Sequence, residues 1–493
     1  MRTYVSIISQ KTVGLQSTAK YTTYRHLITQ VDRAVRQCRD QTTNLRAAKV
    51  AIVILKYAGR DATAAFDEIH APGIVKALST EQNMGSINPD TLPQQEEQSI
   101  EQANQLLPKA AKPDLYSLIS VHDFEDVARE TFTPKTYAFY SSAATDLVSH
   151  QANLMCHRKL LLRPRVLRDV REAKLGRTIL GCKSSAPFFF SPAAMAKLAH
   201  PEGEMAVARA CHNEQIVQII SSNSSYPLAD IVSAGAQDQP FFLQLYVNSE
   251  RQKTEQLLRH AKDLGVKAVV VTVDAPVPGK READERIAAE NIAAAISGAV
   301  ATNDKRGGGL GRVMAKYIDA SLSWSDLAWI KEVSGMPIVL KGIQTAADAQ
   351  KAADHGVEAI LLSNHGGRSL DTTQPAMVTL LEMHKSCPVV FQRLEVYVDG
   401  GFTRGTDILK AIALGATAVG IGRPWLYALG YGQEGVEHMI DILKDELSTS
   451  MKLSGITDVD DAHPGMVNTA LLEPLIRSSE THPWISWKPR ARM

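Results

Sequence analysis

From Pro187 onward the sequence repeats one pattern eight times: a short β-branched or apolar run, then a stretch of helical periodicity. The runs are PFFFSPAA, IVQIISSN, PFFLQLYV, KAVVVTVDAP, MPIVLKG, EAILLSNHGG, LEVYVDGG and AVGIGRP. Between them lie amphipathic stretches such as RQKTEQLLRHAKDLG and AADAQKAADHG, each stopped by a glycine. Eight strand–helix repeats over roughly 250 residues predict an α/β protein, a (β/α)8 TIM barrel, rather than an open doubly wound sheet. The spacing is the barrel's own period, not that of a solenoid.

The barrel leaves much of the 493-residue chain unassigned. Just upstream, VHDFEDVARETFTPKTYAFYSSAATDLVSHQAN reads as helices. Between Pro278 and Ser323 the periodicity lapses; the Ala-rich half of that loop has helical composition and its GGGLG does not, and a loop so long is expected to serve as a lid or to lack fixed structure. Residues 86–112 are polar and proline-bounded, as a linker is, and residues 1–48 carry eight basic side chains against Asp32 and Asp40, with no glutamate. A basic, Ser/Thr-rich start is the composition of an organellar targeting segment, the alternative being an ordinary basic helix around Tyr24 to Gln41. The domain map is therefore 1–48 basic segment, 49–85 a small helical unit, 86–112 linker, 113–477 barrel and 478–493 tail.

A formal charge of +1 gives no broad attraction to nucleic acid or anionic membranes. Cys38, Cys156, Cys182, Cys211 and Cys387 are scattered without a C-x-x-C pair, so neither a disulfide framework nor a zinc site is expected. No apolar run is long enough for a membrane span. A small-molecule enzyme is the class that remains.

In a TIM barrel the active site forms at the C-terminal ends of the strands. Those ends carry Gln244 and Tyr246, Thr272 and Asp274, Lys341, His365 and Arg368, Asp399 and Arg404, and Arg423. The seventh and eighth runs end in DGGFTRG and GIGRP, whose glycines let backbone N–H groups approach an anion while Arg404 and Arg423 supply charge, as in a barrel phosphate site; simple turn glycines are the alternative. Lys341 would enter the barrel mouth and neutralise charge developing on a cofactor, or serve as a structural ion-pair lysine. His365 has a pKa suited to a general base, with Asp274 to orient it, although a lone histidine is more often structural. Arg368, three residues on, can grip a carboxylate bidentately, and Arg281 offers either a second clamp or an ordinary surface arginine.

These motifs, in this order, resemble the FMN-dependent 2-hydroxy-acid dehydrogenase and oxidase family from about Leu115 to Gly455; SPAAMAKLAHPEGE, TVDAPVPGKREAD, VLKG, SNHGGRSLD and DGGFTRGTDILKAIALGA are the most specific segments. The resemblance implies that Pro192, Ala193 and Ala194 lie against the flavin, that Ser221, Gln244 and Thr272 bond it, and that Lys341 sits beside its N1/O2 edge. It also implies that Asp399, Gly400, Gly401, Gly422 and Arg423 hold the phosphate, that His365 is the base with Asp274 as partner, and that Arg368, Tyr246 and Arg281 bind a 2-hydroxy-acid substrate. Three positions depart from the pattern: Phe139 replaces a tyrosine, Thr403 replaces the first arginine of the D-G-G-x-R-R run, and Asn223 fills a variable place in the substrate pocket. The acceptor is a cytochrome such as cytochrome c, or O2 in an oxidase; an inactive flavin-binding module is the remote alternative. A homotetramer is expected on the same ground.

Upstream, VAIVILKYAGRDATAAFDEIHAPG resembles the second half of a cytochrome b5-type haem domain, a fusion found in the family's lactate-oxidising flavocytochromes, with His70 at the second axial position. The first axial histidine is missing: TNLRAAK has none, and His26 is too distant. Haem b is therefore not expected to bind stoichiometrically, the partial domain being either truncated or the product of a mispredicted first exon. With this resemblance, the basic start implies the mitochondrial intermembrane space; without targeting, the cytoplasm or peroxisome.

Overall fold

The computed structural model describes residues 112–477 apart from 237, 289–291 and 302–308. The expectations placed on residues 1–111, including the targeting segment, the linker and His70, lie outside the described residues, as does the 478–493 tail.

Eight parallel strands close a barrel: β1 Phe188–Phe190, β2 Val217–Ile220, β3 Phe241–Leu245, β4 Ala268–Thr272, β5 Ile338–Ile343, β6 Ala359–Leu362, β7 Glu395–Asp399 and β8 Ala418–Ile421. Each pairs with the next, and β8 pairs with β1 to leave no open edge. All eight coincide with the apolar runs of the sequence, because strands buried on both faces need continuous apolar residues. The interior is filled by Phe189, Ile219, Phe242, Val270, Val339 and Leu361. A hairpin of Arg177–Ile179 and Cys182–Ser184 places Ile179 in the same cluster. A filled interior leaves the strand ends as the place for ligands.

Among the described residues, three α-helices precede the barrel: α1 Val121–Thr131, α2 Pro134–Ser141 and α3 Val148–Lys159. Thr133 caps α2 by accepting the Thr136 N–H at 3.1 Å, with Pro134 at the first helical position, where its missing N–H costs nothing. Asp371, at the end of SNHGGRSLD, accepts the N–H groups of Asp146 (3.0 Å) and Ser149 (2.8 Å) and so ties the start of α3 to the loop after β6. Asn153 on α3 exchanges amide hydrogen bonds with Asn364 at 2.8 and 3.0 Å, fixing the same loop from the other side.

The loop between Pro278 and Ser323 departs from the sequence reading. Among its described residues the Ala-rich part forms no helix: Ile292–Ala293 and Val300–Ala301 pair as antiparallel strands. A short helix, Leu310–Met314, begins inside GGGLG. Alanine propensity yields here to tertiary contacts, since the Ala295 N–H donates to the Ser224 carbonyl at 2.9 Å. At the glycine end, Gly311 donates its N–H to buried Asp284 (3.2 Å), which also holds Lys135 of α2 at 2.5 Å.

Candidate active site

The catalytic candidates converge through three consecutive strands. β4 ends at Thr272 and delivers Asp274, β5 carries Lys341 opposite Thr272 in register, and the turn after β6 presents His365. His365 Nδ1 lies 2.9 Å from Asp274 Oδ1, and its Nε2 lies 3.4 Å from the Tyr246 hydroxyl. Lys341 Nζ donates to Ser363 Oγ (3.1 Å) and stands between two carboxylates, 3.9 Å from Asp274 and 3.8 Å from Asp399. Ser363 Oγ also accepts the His365 N–H at 3.0 Å, so one hydroxyl links the lysine to the base-bearing loop.

Two backbone features make this approach possible. Gly342 has φ +109, and a Cβ there would lie 2.5 Å from Asp274 Cβ, so only glycine lets the carboxylate sit behind the imidazole. His365 has φ +59, a left-handed conformation costly for a side chain with a Cβ, and Gly366 and Gly367 follow it in the same region. The H-G-G sequence thus turns the imidazole into the cavity.

The electrostatics favour a neutral base. Burial holds His365 below its ordinary pKa, with Asp274 opposing and Lys341 reinforcing the shift. Burial would raise the Asp274 carboxyl, but Lys341 and His365 outweigh it and keep the group below the usual carboxylate range. An ionised Asp274 fixes the proton on Nδ1 and leaves the Nε2 lone pair toward the cavity. Burial pushes the Tyr246 phenol up, so it remains a hydrogen-bond donor.

A second cluster lies beside the first. Arg368 donates to the carbonyls of Tyr140 and Ser142 (both 2.7 Å) and Phe139 (2.9 Å). Arg423 donates to the carbonyls of Tyr140 (3.1 Å), Ser142 (3.3 Å) and Gly366 (3.0 Å). Arg281 reaches the Arg368 carbonyl at 3.4 Å. Burial, then mutual repulsion with Arg281 and Arg423, works against the charge on Arg368, and His150 beside them is pushed down to about 4 by burial and the two guanidiniums. Three cations supported mainly by neutral carbonyls form a field that an anion would complete.

One cavity of about 820 Å³ joins these groups, within the range of small-molecule and cofactor sites. Its wall includes Pro192, Ala193, Ala194, Ser221, Asn223, Gln244, Tyr246, Thr272, Arg281, Lys341, His365, Arg368, Asp399, Gly400, Gly401, Thr403, Gly422 and Arg423, with Phe139 and Arg404. Asp274 is set behind His365 with its side chain fully buried. Gln244 is the centre of a linked polar set: its amide oxygen accepts from Ser221 Oγ (3.2 Å) and the Ser222 N–H (3.1 Å), and its amide nitrogen donates to Thr272 Oγ1 (3.0 Å). Buried Asp399 Oδ1 and Asp274 Oδ2 have no hydrogen-bond partner among the described residues.

These features fit FMN. The amide and hydroxyls of Gln244, Thr272 and Ser221 suit the polar edge of a flavin ring, Lys341 an electron-rich edge, and Gly422 with Arg423 a phosphate. A carboxylate repels phosphate, so the open oxygen of Asp399 suits a hydroxyl of the cofactor's sugar-alcohol chain instead, which refines the expectation that Asp399 holds the phosphate.

Other expectations shift as well. Arg404 pairs with Glu446 of the helix Gly432–Ser454 at 2.6 Å, so its charge is already answered there rather than reserved for phosphate. Arg281 lines the cavity and is not an ordinary surface arginine. The Phe139 ring faces Arg368 at 5.7 Å, in the place where the resemblance implies a hydroxyl. The sequence reading missed Ser363, His150 and Asn153, and the carbonyls of Tyr140 and Ser142. Ser363 stands two residues before His365 in SNHGGR; the α3 residues carry no local signal, because only the closed fold brings them to the strand ends.

A family model described as FMN-dependent dehydrogenase matches residues 128–469. L-lactate dehydrogenase (cytochrome) from Wickerhamomyces anomalus is 40% identical over 427 residues, 85% of this chain and 73% of that protein. A peroxisomal (S)-2-hydroxyacid oxidase of Arabidopsis thaliana is 39% identical over 358 residues, 71% of this chain and 97% of its own length. Among solved structures, the flavin-binding domain of baker's yeast flavocytochrome b2 aligns with a TM-score of 0.68 at 37% identity, covering 80% of this chain and 98% of that one.

Proposed function

The chain belongs to the FMN-dependent dehydrogenase family, and from that membership we propose that it oxidises a short L-2-hydroxy acid of the L-lactate kind to the 2-oxo acid and passes the electrons to a cytochrome. The observation that carries this reading is the His365–Asp274 pair, 2.9 Å apart, with Nε2 open to a cavity flanked by three arginines. FMN supplies the electron acceptor when bound.

The residues divide the remaining work. Arg368 and Tyr246 would take the substrate carboxylate, the first as a planar two-donor fork and the second through its phenol. That grip places the C2 carbinol beside Nε2, converting an encounter into a positioned reaction. The alcohol gives up two electrons and two protons: Nε2 would take one proton, the electron pair and the other proton would pass to FMN when it is bound, and the anion of Asp274 would stabilise the imidazolium that forms. Lys341 provides fixed positive charge where electron density accumulates. The side chains of Lys341 and Asp274 are buried and His365, Arg368 and Tyr246 are partly buried, which limits water and strengthens each interaction.

The acceptor has a second reading. Similarity to the (S)-2-hydroxyacid oxidase supports O2 in place of a cytochrome, and peroxide release during turnover separates the two. The basic, Glu-free composition of residues 1–48 supports a mitochondrial address for the cytochrome-linked form. The central test is an absorbance spectrum of the purified protein before and after anaerobic L-lactate. Bleaching of the flavin bands is expected; an unchanged spectrum with lactate, glycolate and larger L-2-hydroxy acids would overturn the reading.

A further inference from the structure

Asn223 follows β2 in the cavity wall that also contains Tyr246 and His365, and it is only 6% exposed. Its backbone is fixed on both sides: its N–H donates to Ser221 Oγ at 3.1 Å, and its carbonyl accepts the Met195 N–H at 3.1 Å. Its side-chain oxygen is doubly engaged, accepting from Ser297 Oγ at 2.6 Å and from the Tyr317 hydroxyl at 3.1 Å. Ser297 Oγ accepts the Ala299 N–H at 3.2 Å, so its own proton is the one given to Asn223. The amide is therefore oriented with its oxygen toward Ser297 and Tyr317. Its Nδ2 has no hydrogen-bond partner among the described residues, and two N–H donors remain for whatever occupies the cavity.

Resting on the 2-hydroxy-acid reading above, we propose that Asn223 makes the site selective for L-2-hydroxy acids that carry a neutral hydrogen-bond acceptor oxygen on C3, as in L-2,3-dihydroxypropanoate. An apolar C3 substituent would cover the amide and leave its donors unpaired, and sites built to bond a substrate oxygen reject analogues that lack it. The acceptor is neutral because the groups that set the amide are neutral: Ser297, Tyr317 and, 3.3 Å from the Tyr317 hydroxyl, Ser222. Burial pushes the Tyr317 phenol up, which keeps it in that form.

The experiment measures anaerobic flavin reduction in the FMN-loaded full chain with four acids: L-lactate, L-2-hydroxybutanoate, L-2,3-dihydroxypropanoate and L-malate. The dihydroxy acid and 2-hydroxybutanoate have nearly the same size and differ in a hydroxyl against a methyl. Their ratio of second-order rate constants is expected to be about tenfold or more in favour of the dihydroxy acid, equivalent to about 1.4 kcal/mol. Asn223→Leu should invert that ratio. Asn223→Ala removes the amide donors without adding an acceptor for the substrate hydroxyl, and should bring the ratio close to one while the protein folds and binds FMN. Equal rates in the unsubstituted protein, or a ratio untouched by both variants, would overturn the selectivity and leave the hydroxy-acid reading standing. A preference for L-malate would overturn the neutral class. No bleaching with any of the acids would overturn the hydroxy-acid reading itself and the selectivity with it.

Discussion

His365 and Arg368 stand three residues apart on the loop after β6, yet their surroundings follow different rules. Around His365 the charges alternate within the protein: the neutral imidazole is on the Asp274 carboxylate, and Lys341 lies between Asp274 and Asp399. Around Arg368 the cations meet backbone carbonyls and one another, with Arg281 and Arg423 both opposing its charge. The first group has its counter-charges supplied by the protein. The second would be completed by anions, which on the proposed reading are a substrate carboxylate and a cofactor phosphate. Rate should therefore depend most on the first group and binding most on the second.

The largest test of that division is His365→Gln. Glutamine is similar in reach but has no basic nitrogen, so flavin reduction should fall by about three to four orders of magnitude. The protein should stay yellow, because the groups proposed to hold FMN are untouched. Near-normal reduction by the variant would remove His365 from the mechanism, and loss of FMN would show that the two ends are not separable.

Asp274→Asn is expected to cost less, about two to three orders of magnitude, because the base remains while its tautomer and counter-charge are lost. The pH profile adds a separate readout. Burial favours neutral His365, so the acid limb of kcat/KM should lie below the ordinary histidine value of about 6.5. The Asp274 anion favours the protonated imidazole, so removing it should move that limb lower still. An acid limb that rose in the variant would contradict the arrangement of charges around His365.

The same contrast governs what could be read from the sequence. The barrel was legible because each strand is a predominantly apolar run, and its end residues follow from chain order alone. His365, Lys341 and Asp274 lie one to three residues beyond or within such runs, so their convergence could be inferred. Gly342 is the informative case: it stands in the quoted VLKG, but its role in admitting Asp274 is a distance between two strands, which no local pattern encodes. The carbonyls that seat Arg368 and Arg423 come from the end of α2, more than two hundred residues earlier. The Ala-rich loop misled for the opposite reason, since composition there favours a helix while strand pairing and the bond of the Ala295 N–H to the Ser224 carbonyl decide otherwise.

At the anion end, Arg368→Lys keeps the charge and removes the fork. The ammonium cannot hold two carboxylate oxygens in parallel, nor replace the three carbonyl contacts, so kcat/KM for L-lactate should drop about ten- to a hundredfold, with KM raised. A kcat/KM within twofold of the unsubstituted protein would exclude Arg368 as a carboxylate clamp. Affinity for FMN should change far less, which steady-state kinetics and flavin titration together would show.

The smallest effect, and the sharpest probe of the anion end, is a gain. Thr403 lines the cavity beside Gly401, and its own N–H is used by Asp407 at 3.3 Å, so the side chain is not part of a network that a substitution must break. Arg404, the next cation along, is committed to Glu446. On the proposed reading the cofactor phosphate would fall chiefly to Arg423, which also serves three carbonyls. Thr403→Arg should add a charge-assisted bond at that end and tighten FMN by about tenfold, read as a lower Kd when apoprotein quenches FMN fluorescence. Because a bound phosphate is a salt-sensitive contact, the gain should shrink as ionic strength rises. The rate of flavin reduction should not change, since the reaction end already has its charges matched. An unchanged Kd would mean that Thr403 faces away from the phosphate, and a changed reduction rate would mean that the two ends of the cavity communicate.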